Sequence, residues 1–70
     1  MKIDRRNIGK VAHGMIIEHG NGCFLQVDHV TADKVCAYKL SSYDEETKVR
    51  AVTDEYAFYD RSELMGDRIL

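Results

Sequence analysis

The sequence lacks proline, any long hydrophobic run and any apolar stretch after its first basic residues. A membrane-spanning helix needs about 20 consecutive apolar residues, and no segment approaches that length. A secretory signal needs an apolar segment behind its basic start, which is missing here. These absences exclude a signal peptide and a membrane-spanning helix, and they predict a cytoplasmic protein without membrane contact.

The familiar signatures of catalysis are also missing. There is no Gly-x-Ser-x-Gly element, and Ser41, Ser42 and Ser62 fall in predicted loop or cap positions, where serine is usually structural. Acidic side chains are common, but no predicted pocket groups them, and a chain this short rarely encloses a cleft of several hundred Å³. We therefore expect no enzyme activity and no cofactor.

Two cysteines and two histidines occur close together in "HGNGCFLQVDHVTADKVC". Strand pairing is expected to place His19 opposite Cys23 and His29 opposite Cys36. The two pairs are then about 20 Å apart along one strand, too far to share an ion. A structural zinc site needs four ligands, and no Cys-x-x-Cys element is present. The prediction is therefore no metal site and two free thiols in a reducing compartment.

The chain of 70 residues is 44% hydrophobic and 31% charged, which is typical of one small globular domain over residues 1–70. Such a short chain buries little surface, so self-association is an expected source of stability, and a homo-oligomer is predicted. Charge is uneven, since the first ten residues are basic and the remainder is acidic. Residues 1–7 are predicted to form a flexible basic arm.

Glycine marks the first hairpin. Four segments have strand composition: residues 15–19, 23–30, 35–40 and 49–53. Gly20-Asn21-Gly22 is a strong turn signal between the first two. A three-residue loop there places Ile17 opposite Leu25 and keeps the apolar side chains together, which is the register that burial favours.

The next connection, residues 31–34, extends this register. It predicts Val30 opposite Val35, Val27 opposite Tyr38, and Leu25 opposite Leu40. One face of the meander then forms the core: Met15, Ile17, Cys23, Leu25, Val27, Cys36, Tyr38 and Leu40. The other face is predicted to be solvated: Ile16, Glu18, Phe24, Gln26, Asp28, Val30 and Lys39.

The C-terminal third has two interpretations. Residues 55–59 have strand composition, and Asp60-Arg61-Ser62-Glu63 resembles a capping box that begins a short helical turn ending near Gly66. Alternatively, Thr53 caps a single helix over residues 54–65. The aromatic run Tyr-Ala-Phe-Tyr favours the strand and the short turn.

The order of "IGKV", a hairpin, "AYKL", a polar loop and "FYDRSEL" resembles the small SH3-like barrels of bacterial and phage proteins, over about residues 8–65. The resemblance implies a mostly-β fold: a small antiparallel barrel or curled sheet with a short C-terminal helical turn. The alternative is an α+β fold with a four-stranded meander and the helix 54–65. Such barrels bind proteins, peptides or nucleic acid more often than they catalyse, an analogy of fold alone.

The predicted function is that of a non-catalytic regulatory or adaptor protein acting through contacts with an unknown protein partner. Its size, without a catalytic motif, suits accessory proteins of phages and mobile elements. Three apolar side chains are expected to form an exposed patch, and an acidic loop is expected to meet a basic partner. These protein-binding candidates are Ile16, Phe24, Val30, Asp44, Glu45 and Glu46.

The alternative function is nucleic-acid binding by a regulator whose basic N-terminal arm contacts phosphates. The residues concerned are Lys2, Arg5, Arg6 and Lys10. Single-strand binders combine such a basic surface with stacking aromatics. Phe24 is the aromatic residue expected to be exposed, but its predicted neighbours Glu18 and Asp28 repel phosphate, so this function ranks second.

Overall fold

Five antiparallel strands form one continuous sheet in the computed structural model, which describes residues 1–70. The strands are β1 (Ile16–Glu18), β2 (Phe24–Val30), β3 (Lys34–Tyr43), β4 (Arg50–Asp60) and β5 (Arg68–Ile69). Their order in the sheet is β4-β3-β2-β1-β5, and β4 does not pair with β5, so the sheet is not closed into a barrel. Two short 3-10 turns complete the chain, Ile8–Lys10 and Arg61–Leu64. No helix is long and apolar enough to cross a membrane.

The predicted mostly-β fold with a short C-terminal helical turn is confirmed, with 49% of residues in strands and 10% in short helical turns. The alternative helix over residues 54–65 is wrong, because β4 continues through this region to Asp60. The backbone N–H of Asp60 donates to the Glu63 carboxylate at 3.2 Å, so the expected capping box is present. Segments predicted as two strands, 49–53 and 55–59, are one long strand.

The first hairpin has the predicted register, with Ile17 opposite Leu25. The second hairpin begins as predicted, with Val30 opposite Val35, but the register then shifts between Val27 and His29. A β-bulge inserts an extra residue into one strand and changes every pairing beyond it.

The bulge overturns the rest of the predicted pairing. Val27 lies opposite Ala37, not Tyr38, and Leu25 lies opposite Lys39, not Leu40. Tyr38 instead pairs with Gln26, on the face opposite to Leu25. The assignment of Tyr38 to the core face is therefore wrong.

The hydrophobic core lies on one face of the sheet. Residues from β1 to β4 provide one side of this core, and the N-terminal segment and the second 3-10 turn provide the cover. Its buried members are Ile3, Ile8, Val11, Ile17, Leu25, Val27, Val35, Ala37, Tyr59 and Leu64. The opposite face of β3 and β4 carries Tyr38, Tyr56 and the exposed Phe58.

The N-terminal segment, predicted to be a flexible arm, lies against the C-terminal end of the chain. The Ile3 N–H donates to the Asp67 carbonyl at 2.7 Å, and the Ile69 N–H donates to the Met1 carbonyl at 2.7 Å. The Asn7 side-chain amide donates to the Lys2 carbonyl at 2.7 Å, and Ile3 is only 2% exposed. The segment therefore forms part of the core cover. Its basic side chains remain exposed: Lys2, Arg5, Arg6 and Lys10.

Replacing Ile3 by alanine tests this role. Truncating a buried isoleucine removes buried surface and leaves a cavity, so we expect the free energy of unfolding to fall by about 2–4 kcal/mol. Ile3→Val should cost about 1 kcal/mol, and the exposed neighbour Arg5→Ala should change stability by less than about 0.5 kcal/mol. Urea denaturation followed by circular dichroism measures all three, and an equal effect of Ile3→Ala and Arg5→Ala would contradict the assignment.

Candidate functional site

Three aromatic side chains form a row on the face opposite to the core. Tyr38 lies on β3, and Tyr56 and Phe58 lie on β4; we call these three residues the aromatic row. The ring centroids of Tyr38 and Tyr56 are 4.7 Å apart at an interplanar angle of 66°, and those of Tyr56 and Phe58 are 5.3 Å apart at 84°. Such edge-to-face contacts are favourable. Phe58 is nevertheless 65% exposed, so its ring is available for contact.

The strand alternation explains how the row arises. Tyr38 lies opposite Tyr56, and Cys36 lies opposite Phe58, so these side chains share one face of β3 and β4. The residues between them, including Ala37, point into the core. Because the bulge in β2 shifts its pairing with β3, the aromatic side chains lie outside the core.

A hydrogen-bonded cluster borders the aromatic row at the bulge. The Tyr56 hydroxyl donates to Asp28 Oδ2 at 2.8 Å, and His29 Nδ1 lies 2.8 Å from the same oxygen. The Tyr56 hydroxyl also lies 3.2 Å from His29 Nδ1. The backbone of Asp28 is also contacted, since His13 Nδ1 lies 2.7 Å from the Asp28 carbonyl oxygen. These contacts tie β4 and the loop before β1 to the bulge of β2.

The cluster shifts the acidity of two of its members in opposite directions. Hydrogen bonds from His29 and then from Tyr56 favour the ionised carboxylate and lower the pKa of Asp28. Partial burial and the nearby Asp28 carboxylate disfavour the phenolate and raise the pKa of Tyr56. At neutral pH, Asp28 is therefore a charged acceptor and Tyr56 is a neutral donor.

The strand β4 is an open edge of the sheet. No backbone hydrogen bond joins its outer side to another segment. The other edge, β5, is short and is covered, since Lys2 bridges to Arg68 and Ile69 bonds to Met1. An unpaired edge exposes N–H and C=O groups that can bind a further strand. The aromatic row therefore borders the open edge of the sheet.

The three apolar protein-binding candidates do not form the predicted patch. Ile16 is 4% exposed, so its predicted exposure is wrong. Phe24 is half-buried, with its ring centroid 5.4 Å from that of Tyr43. Val30 packs against the main core on the opposite face, because the bulge moves it there. The side chains that were expected to meet a partner contact the protein itself.

The acidic loop is folded back on the protein. The Asp44 carboxylate accepts the backbone N–H of Glu46 at 2.9 Å and of Thr47 at 3.4 Å, and these bonds lower its pKa. Glu45 lies 3.3 Å from the guanidinium of Arg68. Of the three acidic candidates, only Glu46 has a carboxylate with neither an ion pair nor a hydrogen bond.

The histidine and cysteine pairs have the predicted geometry. His29 lies opposite Cys36, and the His19 N–H donates to the Cys23 carbonyl at 2.7 Å. His19 Nδ1 lies 2.6 Å from an Asp67 carboxylate oxygen, so its ring is directed to another partner. Both cysteines are free thiols, and no group of three or more suitable side chains could hold a metal ion.

Comparison with known proteins leaves the site to be interpreted from its own geometry. No family model, no curated protein and no solved structure matches the chain.

The candidate site consists of the aromatic row, the Asp28 and His29 cluster and the outer edge of β4. The alternation of Tyr56 and Phe58 was visible in the sequence, but the bulge that places Tyr38 beside them was not.

Removing the Tyr56 hydroxyl tests the cluster. Since its hydrogen bond is one cause of the lowered pKa of Asp28, Tyr56→Phe should move that pKa upwards, towards the ordinary value of 3.8. Tyr38→Phe is the matched control, because the Tyr38 hydroxyl does not contact Asp28. NMR titration of the Asp28 carboxyl carbon measures both variants, and an equal response in the two would contradict the assigned bond.

The same pKa shift predicts a pH dependence of stability. Asp28 has a lower pKa in the folded chain, so its ionised form stabilises the fold above about 3.8, and this contribution is lost as the pH falls through the lowered folded-state pKa. The free energy of unfolding should therefore fall more steeply with acid in the wild type than in Asp28→Asn. Urea denaturation at a series of pH values compares the two, and parallel profiles would contradict the prediction.

Proposed function

We propose that this protein is a small, non-catalytic, cytoplasmic regulator or adaptor that binds other proteins through the aromatic row and the outer edge of β4. The observation that carries the proposal is the exposure of Phe58, at 65%, beside an unpaired strand edge. Aromatic side chains next to exposed backbone donors and acceptors suit the addition of a strand from a partner.

The shape of this face favours a macromolecular ligand. It is open and has no pocket, whereas small-molecule sites are concave and enclose much of their ligand. Tyrosine is enriched at the centres of protein interfaces, where a large rigid ring contributes contact area at little entropic cost. Val52, also on β4, adds a second exposed apolar side chain to the same strand.

A small all-antiparallel sheet is what this structure shares with the SH3-like barrels that the sequence resembles. The meander β1-β2-β3-β4, the 3-10 turn before β5 and the pairing of β5 with β1 suit that fold, although the barrel is open between β4 and β5. Barrels of this kind often bind proteins or peptides, which agrees with the proposed activity. A role in a bacterium or phage belongs to the same proposal and rests on the resemblance alone.

A second candidate is nucleic-acid binding through the N-terminal segment. Arg5, Arg6 and Lys10 are exposed around the first 3-10 turn, on a backbone that hydrogen bonds hold in place. A fixed cluster of cations is better organised for phosphate contacts than a mobile arm. No aromatic pair involves this segment, and the aromatic row borders the carboxylate of Asp28 instead.

Replacing Phe58 by serine tests the protein-binding proposal. We expect the wild type to capture specific proteins from a bacterial lysate and Phe58→Ser to lose them, because the ring contributes the largest exposed apolar contact. Val49→Ser is the matched control, since Val49 is 69% exposed but lies outside the aromatic row and β4. Quantitative mass spectrometry compares the three samples, with circular dichroism to confirm folding. Loss of the same proteins in both variants, or in neither, would contradict the proposal.

The second candidate predicts binding that depends on salt. Mixed DNA and RNA should bind at low salt and dissociate as salt rises, because phosphate contacts release counterions. The triple variant Arg5→Ala, Arg6→Ala, Lys10→Ala should weaken this binding at least about tenfold, whereas Lys48→Ala, outside the N-terminal segment, should not. Fluorescence anisotropy measures the affinities. Absence of salt-sensitive binding by the wild type would exclude this candidate.

A further inference from the structure

We propose that the outer edge of β4 pairs with the same edge of a second copy of this chain, forming a weak two-fold dimer centred on Ala57. This inference rests on the proposed function, because it names one partner for the surface assigned there.

The direction of the backbone groups follows from Asp60. Its N–H donates to the side chain of Glu63, not to β3, so this group points away from the sheet. Backbone groups alternate in direction along a strand, and β4 pairs regularly with β3 from Tyr56 to Asp60. The N–H and C=O groups of Tyr56 and Phe58 therefore point outwards with that of Asp60.

A two-fold axis at Ala57 pairs these outward-pointing groups of Tyr56 and Phe58 with each other. In a symmetric antiparallel pair, one residue must face its own copy across the axis. With Ala57 at the axis, Tyr56 of one copy lies opposite Phe58 of the other, and each such pair exchanges both of its backbone hydrogen bonds. The residue at the axis, Ala57, has only a methyl side chain, so the two strands can approach closely.

The side chains favour the same register. The Tyr56 and Phe58 rings of the two copies become directly opposed neighbours, and aromatic cross-strand pairs stabilise sheets. The aromatic row then continues across the interface from one copy to the other, and the exposed ring of Phe58 is covered. The axis at Ala57 is the register that places the half-buried Tyr56 of one copy opposite the exposed Phe58 of the other.

The irregular part of β4 lies outside the segment that pairs in the proposed dimer. Between Tyr38 and Leu40, the pairing of β3 with β4 shifts, and β4 bulges at residues 53–55. There the Glu55 N–H donates to Thr53 Oγ1 at 3.2 Å. By the same alternation, Glu55 is not among the outward-pointing donors that the proposed ladder needs. The bulge instead limits pairing to the second half of the strand.

A lysine offsets one carboxylate at each end of the ladder. Asp60 of one copy lies near the bulged segment of the other, which carries Asp54. Lys34 contacts the Asp60 carboxylate, so this cation offsets part of the repulsion between the two acidic side chains.

The contact area sets the expected strength. Aromatic side chains bury about 150–250 Å² each when fully covered, so the rings and the short ladder together bury on the order of several hundred Å². A stable complex needs about 1,200 Å². The dimer is therefore expected to be weak and to depend on concentration.

Sedimentation equilibrium of the full chain, from about 10 µM to about 1 mM, tests self-association. We expect the wild type to convert from monomer to dimer as the concentration rises. Phe58→Ser should associate at least about tenfold more weakly, and Val49→Ser should associate as strongly as the wild type. A monomer throughout the range overturns the inference. If Phe58-dependent capture from the lysate persists in that case, the proposed function stands and the edge binds a different protein; if capture is also absent, both fail.

Disulfide trapping tests the register. In a cysteine-free background, Cys23→Ser with Cys36→Ala, the added substitution Ala57→Cys places two thiols across the axis within the 4.4–6.8 Å Cα separation of a disulfide. Val52→Cys is the control, because the proposed ladder separates its two copies by roughly 30 Å. Efficient oxidation to a dimer at position 57 and not at position 52 is expected. Preferential trapping at position 52 overturns the register.

An experiment without substitutions answers the same question should the cysteine-free chain fail to fold. A mixture of isotope-labelled and unlabelled wild-type protein, at a concentration where dimers form, should show intermolecular NOEs between the Tyr56 and Phe58 rings. Intermolecular NOEs confined to other surfaces would overturn the proposed interface.

Discussion

The β-bulge between Val27 and His29 is the constraint on which the functional face depends. Without it, the register of the second hairpin would continue unchanged and would bring Tyr38 into the core. With it, Ala37 occupies the core position, and Tyr38 joins Tyr56 and Phe58 outside. The bulge is itself stabilised by hydrogen bonds, since Asp28 accepts from Tyr56 and contacts His29. One extra residue in β2 thus decides that Ala37 is buried in the core and that Tyr38 lies on the opposite face.

The molecule is asymmetric in how it covers its sheet. The N-terminal segment and the second 3-10 turn close one face with Ile3, Ile8, Val11 and Leu64. Met1 and Lys2 of the same segment cover the short β5 edge. No segment remains for the outer side of β4. The uncovered surface is therefore concentrated in one place, which is where we place the contact surface.

Local signals made much of the fold predictable. The Gly20-Asn21-Gly22 turn and the apolar pairing of Ile17 with Leu25 determined the first hairpin, and the aromatic run favoured a strand before Asp60. The candidate site was harder to predict. Phe24 looked exposed because alternation places it opposite to the core face, but the β3–β4 hairpin brings Tyr43 against it. Such a contact between residues far apart in sequence leaves no local pattern.

By itself, the sequence determined the strand composition, the first turn, the capping box at Asp60 and the separation of a basic start from an acidic remainder. These features depend on neighbouring residues, whose preferences can be read locally. The tertiary structure alone decided the bulge at Asp28, the burial of Ile16, the docking of Ile3 and the exposure of Phe58. Each of these depends on which distant segment covers a surface, and only the complete packing of the chain settles that.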